Sequence, residues 1–327
     1  MKLTKLLGLA SLVFALPLFA QQPTLTVYTY DSFANEWGAA KPLAERFEQR
    51  CQCKVQFVPF EDGITMFNRL RLEGKKSKAD LMLGIDQFLV PEAEKSGLFI
   101  EHNQPLDPLN LPQKWQSKTF YPYDFSEYAF IYDQTKLANP PKSLQELVEW
   151  QDLRVIYQDP RTSTVGRGLL LWVNQIYGEQ AQRAWQTLAK HTVTVGKGWS
   201  ETYGAFLKGE ADLVLSYTTS PLYHQWYEKE NKYTAAPFSE GHIAQIEVAG
   251  ILATSNQPDL ARQFLRFLIE SESQKIIATK NIMKPVIQGE IDQALSQMPD
   301  FKPLNAPQVE QATIKKWLAE WQQAVSK

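Results

Sequence analysis

Apolar and polar positions along the chain fall into short runs that predict strands alternating with helices. Residues 25–30 (LTVYTY) alternate and are rich in β-formers, so they predict a first strand, followed by a turn at Asp31-Ser32-Phe33. Pro42, with Leu43, Arg46 and Phe47 spaced to one face, predicts a helix. Residues 55–60 (VQFVPF) predict a second strand. Residues 64–73 predict a helix with Phe67, Leu70 and Arg71 on successive turns, and 79–85 a buried strand ending in Asp86. This order argues a parallel sheet with helices on its faces. Further on, Ser143-Leu144-Gln145-Glu146 is a capping box opening a helix toward Trp150. Strands follow at 154–157 and 192–195, and helices at 168–177, 179–190, 259–269, 271–278 and 308–325. Two alternating runs, 125–132 and 243–248, are placed to cross between lobes and so to form a two-strand hinge.

Residues 198–226 concentrate the candidate chemistry. DLVLS (212–216) reads as a buried strand, followed by the polar turn Tyr217-Thr218-Thr219-Ser220 and then Pro221. Ser followed by Pro suits a helix start, and open α/β sheets hold ligands at the carboxyl ends of their strands. Trp199 follows Gly198 in a predicted loop, and Tyr223 and Trp226 come after the turn. Any single Trp or Tyr is more often core than ligand wall. Several rings around hydroxyls at a strand end argue instead a cage for a flat cation, each face contributing about 0.5–2 kcal/mol.

Three other loops follow predicted strand ends: Tyr30-Asp31-Ser32, Glu61-Asp62-Gly63 and Asp86-Gln87. Each acidic residue serves equally well as a helix cap. Together they make one edge of the sheet acidic, which suits a cationic ligand. Ser163 and Thr164 precede a predicted helix, where free N–H groups favour an anion such as phosphate, though on this loop alone plain capping is the better explanation.

The first 20 residues are set apart. Lys2 and Lys5, an apolar run from Leu6 to Phe19, and Ala20 before two glutamines predict a cleaved secretory signal peptide and an exported, periplasmic protein. The run is shorter than the roughly 20 residues of a spanning helix, so no membrane insertion is expected. Of 34 Lys and Arg, loss of Lys2 and Lys5 leaves 32 against 36 Asp and Glu, a net charge of −4. That balance lacks the basic footprint of a nucleic-acid binder. About 307 residues remain, more than one core usually holds, and two lobes are expected. Cys51 and Cys53 are placed to form a disulfide in an oxidising compartment or to remain unpaired, with a structural role in either case.

An enzyme would show a nucleophile with its base, or metal ligands at suitable spacing. His102, His191, His224 and His242 are scattered, and neither an HExxH arrangement, a G-x-S-x-G elbow nor a phosphate loop occurs in the sequence. No catalytic residue, cofactor or metal is predicted, and a binding protein is favoured. A ferric-ion binder would be expected to offer adjacent tyrosines, whereas Tyr217 is followed by Thr218. A polyamine binder and, from another class, an exported hydrolase remain as alternatives.

The segments TVYTYDSF (26–33), EDG (61–63), RVIYQDPRTST (154–164) and KGWSETYGAFLKGEADLVLSYTTSPLYH (197–224) resemble the thiamine-binding periplasmic proteins of bacterial ABC transporters. So do residues 68–86 and FSEGH (238–242), and the likeness spans almost the whole mature chain. It implies a two-lobed class II periplasmic binding fold of the α/β class, each lobe a mostly parallel sheet flanked by helices. Residues 21–123 and 244–327, with the C-terminal helix, would make the first lobe, and 124–243 the second. The ligand implied is thiamine, thiamine monophosphate or thiamine diphosphate, passed to a membrane permease driven by a separate ATPase.

By position, the resemblance assigns Asp62 and Gly63 to the pyrimidine and cation side, and Ser163 and Thr164 to the hydroxyl and phosphate side. It gives Trp199, Tyr217, Thr218, Thr219 and Ser220 as the main ligand run, Tyr223 as a thiazolium partner and Tyr30 as a wall on the first lobe. The sequence departs from the family pattern at Ile282 and Lys284, where aromatic residues are expected. An apolar wall at Ile282 and a preference for phosphorylated ligands through Lys284 are the corresponding expectations.

Overall fold

A computed structural model of the chain describes residues 22–289, 295–296 and 298–326, so the signal-peptide reading lies outside the described residues. The main strands are β1 (Thr24–Tyr30), β2 (Lys54–Phe60), β3 (Leu81–Asp86), β4 (Phe99–Ile100), β5 (Phe120–Asp133), β6 (Val155–Gln158), β7 (Thr192–Gly196) and β8 (Leu213–Tyr217). Four more follow: β9 (Tyr233–Ala235), β10 (His242–Leu252), β11 (Lys284–Pro285) and β12 (Pro303–Leu304). The backbone of the sheet runs β2-β1-β3-β10-β5-β8-β6-β7. At each end the strands are parallel, β1 with β2 and β3, and β6 with β7 and β8. Between them β10 and β5 run antiparallel to their neighbours and to each other.

The two predicted crossing runs are therefore the centre of one curled sheet. β5 is 14 residues long: Phe120–Glu127 pairs with β10, and Tyr128–Tyr132 pairs with β8. One strand thus belongs to both lobes, and β10 crosses beside it. Both are almost wholly buried, as expected of strands covered on both faces.

Alternation sorts the side chains onto the faces of the first lobe. Leu25, Val27, Leu81 and Leu83 join a core with Phe47 and Phe264, whereas Tyr28 and Met82 join another with Phe67 and Ile64. The alternation breaks at Gly84, with φ +112°, where the register against β10 shifts so that Val248 faces Ile85 and Ala249 faces Leu83. A glycine serves this bulge for two reasons: its positive φ, and the Tyr30 ring, whose Cδ1 would lie 2.2 Å from an added Cβ. Gly84→Ala is expected to lower stability by about 2 kcal/mol and to displace the Tyr30 ring. A melting curve matching the parent protein would refute this.

The second lobe packs Trp172 and Trp185 against β5, β6 and β8, with Tyr203 and Phe206 on the opposite face. The C-terminal helix Gln311–Val325 also seats here rather than on the first lobe, where the sequence reading carried the chain after 244. Its Trp321 is buried, donates from Nε1 to the Tyr157 hydroxyl at 3.2 Å, and lies under the Arg161 guanidinium. One buried indole anchors the helix, and the 18-residue amphipathic run did not indicate which lobe would receive it. Cys51 and Cys53 are joined in a disulfide at the end of helix Ala40–Cys51. Among the described residues no helix is long and apolar enough to cross a membrane.

Candidate functional site

Between the lobes lies a cavity of about 260 Å³. Tyr30 enters it from the end of β1, Glu61 and Asp62 from beyond β2, Tyr217 from the end of β8 and Glu247 from the hinge strand β10. These are carboxyl ends of strands from both lobes, together with the strands that join them, where an open α/β sheet leaves room for a ligand.

Asp62 organises the contact between the lobes. It caps helix Gly63–Glu73, its Oδ1 accepting from the Gly63 amide at 2.7 Å. The same oxygen accepts from the Thr164 amide at 2.9 Å, and Oδ2 accepts from the Trp199 amide at 3.3 Å. Thr164 and Trp199 are the first residues of helices Thr164–Tyr177 and Trp199–Leu207 in the other lobe. One carboxylate therefore meets three helix N-termini, where partial positive charge gathers. Burial pushes its pKa up to about 6, against the amides that favour the charged form.

The walls are aromatic. Trp199 stacks on Tyr203 with centroids 4.7 Å apart, and its Nε1 donates to Ser216 Oγ at 2.7 Å. Ser216 Oγ is in turn 2.7 Å from Ser220 Oγ, so the polar turn fixes the indole. Tyr217 stacks on Tyr128 and donates to Gln245, while Tyr30 donates to Glu247 Oε2 at 2.6 Å. Across the mouth, Trp37 of the first lobe meets Tyr223 of the second at 6.2 Å. Five carboxyl groups line the space, Asp31, Glu61, Asp62, Glu228 and Glu247, against one ammonium, Lys280, whose Nζ lies 4.9 Å over the Tyr227 ring.

Of the eleven residues singled out from the sequence, Tyr30, Asp62, Thr164, Trp199, Tyr217, Ser220 and Tyr223 line the cavity. Gly63, Ser163, Thr218 and Thr219 stand behind it. Gly63 permits close approach, since an added Cβ would lie 2.3 Å from the Gly84 carbonyl oxygen. Ser163 caps its helix by accepting from the Gly166 amide. Thr218 donates to Glu127 at 2.7 Å, and Thr219 Oγ1 lies 3.1 Å from Ser126 Oγ. Trp226 lines a separate small pocket with Phe301.

Sequence reading missed Trp37, Tyr203, Glu228, Glu247 and Asn281, all of which face the cavity. Tyr203 had a usable signal: with Trp199 it forms an i, i+4 pair, had residues 199–207 been recognised as a helix and not a loop. Glu247 had another, as a carboxyl group inside the largely apolar run Ile246–Leu252. Ile282 lies on the cavity wall at φ +57°, rare for a β-branched residue. Lys284 is turned to Glu127, both of whose oxygens it meets at 2.8 Å. Burial raises the Glu127 carboxyl, but Lys284 and Thr218 outweigh it and leave the group below its usual range.

Two curled lobes with a ligand-sized cleft at their hinge define the architecture of a solute-binding protein. A family model described as bacterial extracellular solute-binding protein matches residues 30–275. The thiamine-binding periplasmic protein of Haemophilus influenzae is 54% identical over 334 residues, covering 100% of both chains. That of Escherichia coli K12 is 51% identical, covering 95% of this chain and 96% of its own. A solved structure of a periplasmic thiamin binding protein superposes with a TM-score of 0.90 at 50% identity, covering 94% of this chain and 97% of the other. The chain belongs to the extracellular solute-binding proteins, and within them to the thiamine-binding periplasmic proteins.

Proposed function

We propose that this periplasmic protein captures thiamine, and also its mono- and diphosphates, by closing two lobes over the vitamin, and that it delivers the ligand to the permease of an ABC importer powered by a separate ATPase. It acts by binding, without turnover. The observation that carries the reading is the cavity itself: aromatic faces from both lobes surround a space with five carboxyl groups and one ammonium. A thiazolium is a permanent cation that gains from aromatic faces and from carboxylates, and the aminopyrimidine is flat with hydrogen-bonding edges.

In this reading residues 21–123 and the chain from 244 form the first lobe, 124–243 form the second, and the C-terminal helix is seated on the second. Tyr30, Trp199, Tyr217 and Tyr223 face the ligand with Asp62, Thr164 and Ser220. Gly63, Ser163, Thr218 and Thr219 hold these in place. The phosphates would extend toward the helix starts at Thr164 and Trp199, displacing Asp62 from its amides.

Calorimetric titration of the mature protein with thiamine is expected to show one-to-one binding below micromolar Kd. Absence of both heat and thermal shift would overturn the reading. Trp199→Ala is expected to weaken thiamine binding by at least about 1 kcal/mol, the loss of one cation–π face. An unchanged Kd would remove Trp199 from the site. Competition among thiamine, its phosphates and spermidine separates the vitamin from a polyamine.

A further inference from the structure

Glu247 lines the cavity, and Asp124 lies directly behind it in the sheet. Glu247 of β10 and Asp124 of β5 are direct register partners, so their side chains leave the sheet on one face. Both are buried, Asp124 at 0% and Glu247 at 4% exposure. Glu247 Oε2 accepts from the Tyr30 hydroxyl at 2.6 Å and the Tyr123 hydroxyl at 3.0 Å. Asn281 Nδ2 donates to Asp124 Oδ2 at 2.8 Å.

Asp124 Oδ1 is buried and has no donor in either ionised carboxylate. A proton on Asp124 resolves both problems: it satisfies that oxygen by donation to Glu247, and it removes one of two adjacent negative charges.

Among the described residues no ammonium or guanidinium is paired with either carboxyl. From β1 and β5 come the phenols of Tyr30 and Tyr123, and Tyr128 turns its hydroxyl to Asp86 of β3. Tyr217 of β8 is engaged with Gln245. Lys284 of β11 is held by Glu127, and Lys280, at the end of helix Ser271–Lys280, lies over Tyr227. Asp62 and Asp86 add negative charge near Tyr217. Burial first, and then the partner carboxyl, push Asp124 well above the usual carboxylate range.

We propose that Asp124 and Glu247 form the charge-selecting element of the site, sharing one proton until a permanent cation enters the cavity and that proton leaves to solvent. The inference rests on the proposed capture of thiamine. The pair carries one negative charge before binding and two after it, with the proton passing to buffer. It therefore favours a fixed positive charge over a neutral ring of the same shape. Neutral isosteres leave the proton in place.

The test is calorimetric titration of the mature protein with thiamine in phosphate, HEPES and Tris, whose ionisation enthalpies differ, between pH 6.5 and 8. Release of about 0.5–1 proton per thiamine is expected, with affinity falling up to about tenfold for each unit the pH is lowered. Asp124→Asn, a neutral mimic of the protonated pair, is expected to abolish the release. It should also weaken thiamine at least tenfold while leaving a neutral thiophene isostere unaffected. Glu247→Gln provides a second variant with the same expectation.

Binding heat independent of buffer, or proton uptake, would overturn the inference and leave thiamine capture standing. Failure of thiamine to bind at all would overturn both. Release that persists in Asp124→Asn and disappears in Asp62→Asn would assign the proton to Asp62 and also overturn it.

Discussion

Asp62→Ala is expected to weaken thiamine binding by about 2–4 kcal/mol, the scale of losing hydrogen bonds to a buried charge. The carboxylate caps its own helix and accepts from Thr164 and Trp199 in the opposite lobe, so its loss strikes the closed arrangement twice. The cap alone contributes about 0.5–2 kcal/mol to the first lobe. The amides of Thr164 and Trp199 would lose their acceptor each time the lobes close. Asp62→Asn keeps an acceptor for Gly63 and Thr164 but removes the charge, and about 1 kcal/mol of loss is expected from it. Calorimetry gives the affinities, and a distance probe between the lobes should show Asp62→Ala spending more time open. Undiminished affinity with unchanged closure would show that Asp62 is an ordinary helix cap.

Other cross-lobe contacts gather beside that of Asp62. Gly198 sits so near the first lobe that an added Cβ would lie 2.6 Å from the Glu61 carbonyl oxygen. Beside it, Ser200 donates to Asp31 at 2.8 Å, and Thr65 donates its amide to the Thr162 carbonyl at 3.1 Å. All these contacts join the chain just beyond β1 and β2 to the segments before and within the helices at Thr164 and Trp199. None is far from Asp62.

Much of this was legible in the sequence, for reasons that differ by element. The strands were visible because buried parallel strands read as uninterrupted apolar runs, as at Leu213–Tyr217 and Leu81–Asp86. The hinge was visible in part: residues 125–132 and 243–248 fall inside β5 and β10, but the observed strands extend beyond both. The part of β5 before residue 125, Phe120–Asp124, contains Pro122, a residue uncommon inside a sheet.

The helix Trp199–Leu207 was missed because Gly198 suggested a loop, whereas Asp62 supplies the helix start from another part of the chain. Local sequence cannot show a cap provided from 137 residues away. The same holds for the cavity wall. Trp199, Tyr217 and Tyr223 were found through their positions at turns, while Asn281 meets the Tyr30 hydroxyl only through the fold of the first lobe, and Trp37 meets Tyr223 only where the lobes meet.

Charge buried for the ligand has a measurable consequence for the protein without it. The ligand-free protein is expected to melt at higher temperature at pH 5 than at pH 7.5, by on the order of 4 °C. Burial raises Asp62 to about 6 and Asp86 to about 7. A carboxyl raised in the folded state contributes stability that is fully present below its unfolded pKa, near 3.8, and is lost as pH rises through the folded value. Each loss runs from near pH 3.8 to the folded value, so part of that of Asp62 and most of that of Asp86 fall between pH 5 and 7.5, and Asp124 and Glu247 are raised in the same direction.

Glu127, Glu48 and Asp212 are depressed, so their contribution is lost only as pH falls below the ordinary carboxylate range, outside this window. His102 and His242 are depressed by burial and oppose the trend, since their contribution is lost as pH falls below about 6.5. Burial raises Asp31 as well, so five carboxyl groups against two imidazoles set the sign. Asp62→Asn and Asp86→Asn should each flatten the profile, and saturating thiamine should flatten it further, because a bound cation favours the charged carboxylates. A melting temperature that rises steadily from pH 5 to 7.5 in the ligand-free protein would show that these carboxyls are ionised at little cost. The cavity would then select its cation by its aromatic faces, with little help from stored negative charge.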